Sequence, residues 1–160
     1  MRNLIIISFL LLFSCNTQNK PENIDTIKQN PTEIHAIKKI LEAQQECWNN
    51  GDIDGFMQGY WNSESLVFTS LNNKPVYGWR NTLKRYKKSY PTKSTMGKLG
   101  FEILDLQLIS EKNATLKGKW RLIREKDHPN GLFWLNIEKF DRNWLITKDS
   151  TISFEMKKAY

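Results

Sequence analysis

Apolar side chains recur at three- and four-residue intervals from Ile34 through Ile37 and Leu41 to Trp48, with Gln44 in the same series, which is the spacing of one helix face. Asn30 ahead of Pro31 supplies a cap and a first-turn proline, and Glu33 stands three residues after the cap, where its carboxylate can return a bond to the cap's backbone. Asn49-Asn50-Gly51 ends the run, and Asp52 caps a second, shorter helix in which Phe56 and Tyr60 share a face. Leu66 to Ser70 reads as a strand and Asn72-Asn73 as a turn. A third helix is predicted from about Arg80 to Ser89 with the stripe Trp79, Leu83, Tyr86 and Tyr90, and Pro91 stops it.

Beyond Lys98 the period changes from that of a helix to that of a strand. Leu99, Phe101 and Ile103 alternate on one face, then Leu104, Leu106 and Leu108 continue out of phase, a slip that predicts a bulge or sharp bend in a strongly curved sheet. Ala114, Leu116, Gly118, Trp120 and Leu122 alternate cleanly. Asn130-Gly131 is predicted as the turn into a strand from Leu132 to Phe140, and Asp141-Arg142-Asn143 as the turn into Trp144 to Ser153. Helices first and an antiparallel meander afterwards give an α+β fold, with the helices on one face of the curved sheet.

The start of the chain has a different character. Arg2 precedes an apolar run from Leu4 to Phe13, too short to cross roughly 30 Å of hydrocarbon as a helix, so residues 1–14 read as an export signal. Leu12-Phe13-Ser14-Cys15 resembles a bacterial lipobox, which implies that Cys15 carries diacylglycerol and begins the mature chain. The expected address is the cell envelope of a Gram-negative-type bacterium. Asn16, in place of an inner-membrane-retaining Asp, points to the outer membrane. Residues 15–30 are polar apart from Ile24 and Ile27 and read as a flexible tether; residues 31–153 form the domain, and 154–160 a C-terminal tail.

The chain's 160 residues suffice for one domain with a sizeable core. With 39% hydrophobic and 26% charged residues, it is neither a disordered chain nor a multi-span membrane protein. The net charge of +7 is matched by one stretch, Arg80, Lys84, Arg85, Lys87, Lys88, Lys93 and Lys98, with no acidic residue among them. Its aromatics fall on the opposite helix face instead of being interleaved with the bases. The stretch offers a patch for nucleic acid, anionic lipid headgroups or an acidic ligand, but this separation favours a solvated basic face, and no nucleic acid is expected as a partner. With Cys15 lipidated, Cys47 has no partner for a disulfide, and His35 lies too far along the same helix to activate it, so it reads as a core thiol.

Several segments then carry a family resemblance: Trp48-Asn49-Asn50-Gly51-Asp52, Gly59-Tyr60-Trp61, Tyr77-Gly78-Trp79, Tyr90-Pro91, Met96-Gly97, Gly118-Lys119-Trp120 and Trp144-Leu145-Ile146-Thr147-Lys148-Asp149. In order and spacing they resemble the SnoaL-like/DUF4440 branch of the NTF2-like superfamily over about residues 33–153. The resemblance implies a cone in which three N-terminal helices close over a strongly curved antiparallel sheet, with a hydrophobic pocket in its mouth and often a homodimer through the sheet. It does not imply one activity, since relatives include isomerases, cyclases and assembly domains.

Aromatic residues make up 12% of the chain, enough for either a heavy core or a ring-lined hollow. Trp48, Phe56, Tyr60, Phe68, Tyr77, Trp79, Tyr86, Trp120 and Asp149 are the candidate pocket-lining residues. Relatives commonly end the last strand with Asp-His, where this chain has Asp149-Ser150, and serine cannot replace an imidazole base. Asp149 can still serve as a carboxylate base with Tyr60 or Tyr77 as donor, or as a structural hydrogen-bonding group. No metal-ligand spacing, glycine-rich phosphate loop or nucleophile triad is present, so neither metal nor cofactor is expected. The expected function is binding of a small apolar or aromatic molecule at the envelope. The alternatives are a cofactor-free isomerase, cyclase or lyase using Asp149, and a dimeric scaffold with a filled cone.

Overall fold

The computed structural model describes residues 30–71 and 73–154, so the expectations for the leader, Cys15 and most of the tether lie outside it. Helix α1 spans Pro31–Asn50, and its cap is Asn30, whose side chain accepts from the Thr32 and Glu33 amides at 3.1 and 3.3 Å. Glu33 does not return a bond to the cap. Its carboxylate instead takes the Lys139 Nζ and Trp144 Nε1 hydrogens, each at 2.6 Å, and fastens the helix start to the far end of the sheet. Gly51, at φ 85°, closes α1 in the left-handed conformation that only glycine adopts freely. Asp52 then caps α2 (Ile53–Phe56) through the Gly55 amide at 2.7 Å, and a 3₁₀ turn follows over Met57–Gly59.

After strands β1 (Val67–Ser70) and β2 (Val76–Tyr77) come α3 (Trp79–Ser89) and the short α4 (Lys93–Met96). The meander follows: β3 (Lys98–Leu108), β4 (Asn113–Ile123), β5 (Asn130–Phe140) and β6 (Asn143–Phe154). The six strands lie in the order β2-β1-β6-β5-β4-β3. All neighbours are antiparallel except β1 and β6, which run parallel with Phe68 beside Asp149. The expected curved antiparallel sheet is present, with this one parallel pairing added to it. The segment between the helices supplies it, as β1 lies on β6 outside the meander.

Two register shifts bend the sheet. One lies between Ile103 and Asp105, where Leu104 is the extra residue and faces outward, so Leu106 and Leu108 regain the inner face held by Leu99 and Phe101. The other lies opposite Asn136 and Ile137, where Thr147 is the extra residue of β6. Asn130-Gly131, expected as a turn, instead begins β5. The reversal lies upstream, where Arg124 grips Asp127 at 2.6 and 2.9 Å.

The helices pack on the concave face, where Ile37, Met57, Leu66, Ile137 and Ile146 are completely buried. Each such side chain withdrawn from water contributes about 1.5–3 kcal/mol. Strand β3 is an exposed edge, and α1 covers it with polar side chains. Asn49 accepts from the Leu99 amide at 2.7 Å and donates to its carbonyl at 3.1 Å, while Gln45 accepts from the Phe101 amide at 2.9 Å.

Gly118 lies opposite Phe133 and Gly131 opposite Trp120 across β4 and β5, so each ring occupies space a side chain would need. A Cβ on Gly131 would meet the Ile152 carbonyl and stand 2.8 Å from Trp120 Nε1; one on Gly118 would meet the Phe133 ring. Gly131→Ala is expected to cost about 3 kcal/mol and Gly118→Ala about 1–2 kcal/mol, because backbone yields less readily than a ring. Urea midpoints of the two variants check both the size and the order.

Candidate ligand-binding site

The concave face forms a half-open cavity of about 620 Å³ between α1, α3, β1 and the inner sides of β3 to β6. The β6 bulge determines its polar end. Ile146 and Asp149 are three residues apart and would face opposite sides of a regular strand, yet both line the cavity because Thr147 adds one residue between them. Asp149, Thr151 and Ser153 then follow on the same face.

Tyr60 reaches Asp149 from the other side. The backbone after the 3₁₀ turn lies against β6, with Tyr60 bridged to Ile146 and the Trp61 amide donating to the Ile146 carbonyl at 2.9 Å. That alignment brings the Tyr60 hydroxyl to Asp149 Oδ2 at 2.8 Å. Oδ1 is buried with no hydrogen-bond partner among the described residues. Asp149 as a residue is only 6% exposed. Burial raises its pKa from 3.8 to about 7, against the lowering effects of the Tyr60 hydrogen bond and the Arg85 charge. Burial also lifts the Tyr60, Tyr86 and Tyr90 phenols above their ordinary range, so all three are neutral donors at pH 7.

Aromatic rings form the cavity's helical wall. Trp48 packs edge-on to Phe56 and Tyr90 with centroids 5.2 and 4.8 Å apart, and Tyr86 meets Phe56 and Phe68 at 5.2 and 5.9 Å. Trp48 Nε1 donates to the Met96 carbonyl at 3.2 Å, and Trp120 Nε1 to the Ile152 carbonyl at 3.3 Å, which fixes both indoles.

Of the residues singled out in the sequence, Trp48, Phe56, Tyr60, Phe68, Tyr86, Trp120 and Asp149 line this cavity. Tyr77 and Trp79 do not. Tyr77 lies on the outermost strand and is 59% exposed, too far out to be a donor to Asp149. Trp79 is held beneath α3 by its Nε1 bond to the Met57 carbonyl at 2.9 Å. Cys47 is a partly buried free thiol whose pKa burial pushes up, and it stands outside the cavity lining.

Sequence reasoning placed Arg85 on a solvated basic face. Arg80, Lys84, Lys87 and Lys88 are indeed exposed, Lys87 pairing with Asp54 at 2.8 Å. Arg85 departs from them. It is half-buried and lines the cavity, its guanidinium lying 4.3 Å from the Phe68 ring centroid and donating to Ser70 Oγ at 3.4 Å. The only available signal was its place beside Tyr86 in the apolar stripe. Among the described residues no three His, Cys, Asp or Glu side chains gather as a metal site would require.

A crystal structure of an NTF-2 like protein of unknown function from Shewanella oneidensis MR-1 matches this chain with a TM-score of 0.71 and 44% identity, over 76% of this chain and 98% of that one. The chain belongs to the NTF2-like family. A ketosteroid isomerase-like protein from Erwinia carotovora atroseptica matches this NTF2-like chain at 14% identity and a TM-score of 0.65, covering 78% of this chain and 98% of that one. A cystatin-like domain of unknown function from Nostoc punctiforme does so at 17% and 0.67, over 78% and 79%. At these identities the likeness is one of fold alone. No protein-family model and no curated protein matches the chain.

An aspartate whose pKa is raised by folding binds its proton more tightly in the native NTF2-like domain than in the unfolded chain. Its contribution to stability is therefore full below the ordinary aspartate range and is lost as the pH rises through about 7. Asp149→Asn removes the ionisable group and keeps the shape. Between pH 5 and pH 8 the variant is expected to gain on the wild type by roughly 2–4 kcal/mol, read from urea unfolding of both proteins at the two pH values.

Proposed function

We propose that the domain binds a small apolar or aromatic molecule in this cavity, oriented by one polar group at Asp149. The observation that carries the reading is the pairing of a ring-lined hollow with a buried carboxyl oxygen that has no partner. Rings and aliphatic side chains supply nondirectional attraction, and an unsatisfied acceptor in low dielectric rewards a ligand that brings a donor to it. Protonated Asp149 can itself donate from the same position.

A second reading, proton transfer, draws on the same carboxyl. With Oδ2 held by Tyr60, Oδ1 is free to take a proton from a bound carbon acid. A pKa of about 7 suits a base working near neutrality, and the neutral Tyr86 phenol is a donor for a developing oxyanion. In this reading Asp149→Asn abolishes turnover, whereas in the binding reading it leaves most of the affinity.

Binding is tested with N-phenyl-1-naphthylamine, a neutral fluorophore that brightens in apolar surroundings. The wild type is expected to bind it saturably. Ser89→Trp, which puts an indole at the rim on an exposed position, is expected to weaken binding at least tenfold without lowering the melting temperature. No saturable binding, or equal binding by the variant, would count against the cavity as a site.

We further propose that the domain belongs to the SnoaL-like/DUF4440 branch and works at the cell envelope, tethered through lipid on Cys15. The support is the apolar run ending in Ser14-Cys15 and the polar segment after it. Cys15→Ser is expected to move the protein from the membrane pellet to the soluble fraction. Retention of the variant in the pellet would overturn the anchor.

A further inference from the structure

Arg85 is the one cation among the residues lining the cavity, and Asp149 the one carboxyl. The two do not pair. Arg85 makes no ion pair within 4 Å among the described residues, and its side-chain hydrogen bond there is the long one to Ser70. The guanidinium carbon lies 4.3 Å from the Phe68 ring centroid, and apart from the long Nη2 bond to Ser70 its N–H edge has no partner among the described residues. That edge is the arrangement that recognises a carboxylate by two parallel hydrogen bonds. Around it stand Ser70, Asn73 and Ser89, neutral polar groups suited to the outer oxygen of such an anion. A single fork, the one cation among the described residues that line the cavity, suits one negative charge and a planar acid better than a phosphate.

We propose that the ligand of this cavity is a monoanionic aromatic acid, its carboxylate held by the Arg85 guanidinium and its ring body lying among Phe68, Tyr86, Trp48 and Phe56 toward Asp149. This rests on the binding reading above and names its substrate class. It carries a linkage as well. Arg85 helps to keep Asp149 ionised, so an anion that neutralises Arg85 removes that help and drives a proton onto Asp149. Acid binding near pH 7 is thus accompanied by proton uptake.

Matched ligands separate the charge from the ring. In isothermal titration calorimetry of the full domain, 2-naphthoate is expected to bind at least tenfold more tightly than 2-naphthamide, which has the same body and no charge. Arg85→Gln is expected to bring naphthoate down to the amide's affinity while leaving the amide unchanged, and Arg85→Lys to retain part of the preference. Repeating the naphthoate titration at pH 7 in phosphate and in Tris, whose ionisation heats differ, is expected to show net proton uptake that disappears in Asp149→Asn. Equal or tighter binding of the amide, or a naphthoate preference that survives Arg85→Gln, overturns the anion proposal and leaves the cavity reading standing. Naphthoate bound without proton uptake overturns the linkage. Failure of both naphthyl ligands while the neutral fluorophore binds also overturns the acid class, and failure of all three removes the cavity reading with it.

Discussion

Period-two geometry constrains everything this sheet can present to its concave side, and the site depends on one break in it. Ile146 belongs to the core and Asp149 to the cavity, and a strand shows both on one face only if a residue is added between them. Thr147 is that residue. It is buried, and its hydroxyl contacts the Asn136 carbonyl and Glu138 of the neighbouring strand at 3.4 and 2.9 Å, so the irregularity is stapled in place. The same bulge bends β6 toward the helices, and the Tyr60 backbone meets it at Ile146. The direction of Asp149 and its meeting with Tyr60 thus depend on one extra residue.

Placing a carboxyl there is costly. A buried polar atom without a partner loses hydration without compensation, typically about 1–3 kcal/mol and more when charged. Tyr60 offsets part of this on one oxygen, and nothing among the described residues serves the other. The surrounding structure is otherwise well satisfied: Trp48, Trp79, Trp120 and Trp144 each place the indole N–H on an acceptor. A fold that satisfies these groups and leaves Asp149 Oδ1 open has kept an unsatisfied group at the wall of its cavity, where a ligand can complete it.

Much of the architecture was legible because it is encoded locally. The Asn30 cap, the Gly51 stop, the Asp52 cap and the phase slip in β3 are each set by a few adjacent residues, and the change from helical to strand period gives the layer order directly. What escaped was non-local. The parallel seat of β1 on β6 pairs segments far apart in the chain, and Asn130-Gly131 resembles a hairpin turn only until Arg124 and Asp127 build the reversal earlier. At the site, a list of aromatics could not distinguish Phe68, whose strand pairs with β6, from Tyr77 on the strand outside it. Arg85 was hidden for a related reason. In a run of bases, composition marks a solvated face, and only packing against Phe68 shows that one of them turns inward.

The cavity's charge is set by two groups of opposite sign that share a space without touching. With Asp149 near half protonation at neutral pH, the pair carries between zero and one positive charge, and the neutral phenols of Tyr60, Tyr86 and Tyr90 add none. Were the two in contact, an ion pair would hold Asp149 ionised and consume the Arg85 fork, leaving only apolar surface and hydroxyls for recognition. Separation keeps each available. Phe68 touches both sides of the arrangement: its ring contacts the Arg85 guanidinium, and its register partner on β6 is Asp149. The same aromatic side chain that forms cavity wall thus also links the strand of the carboxyl to the helix of the cation.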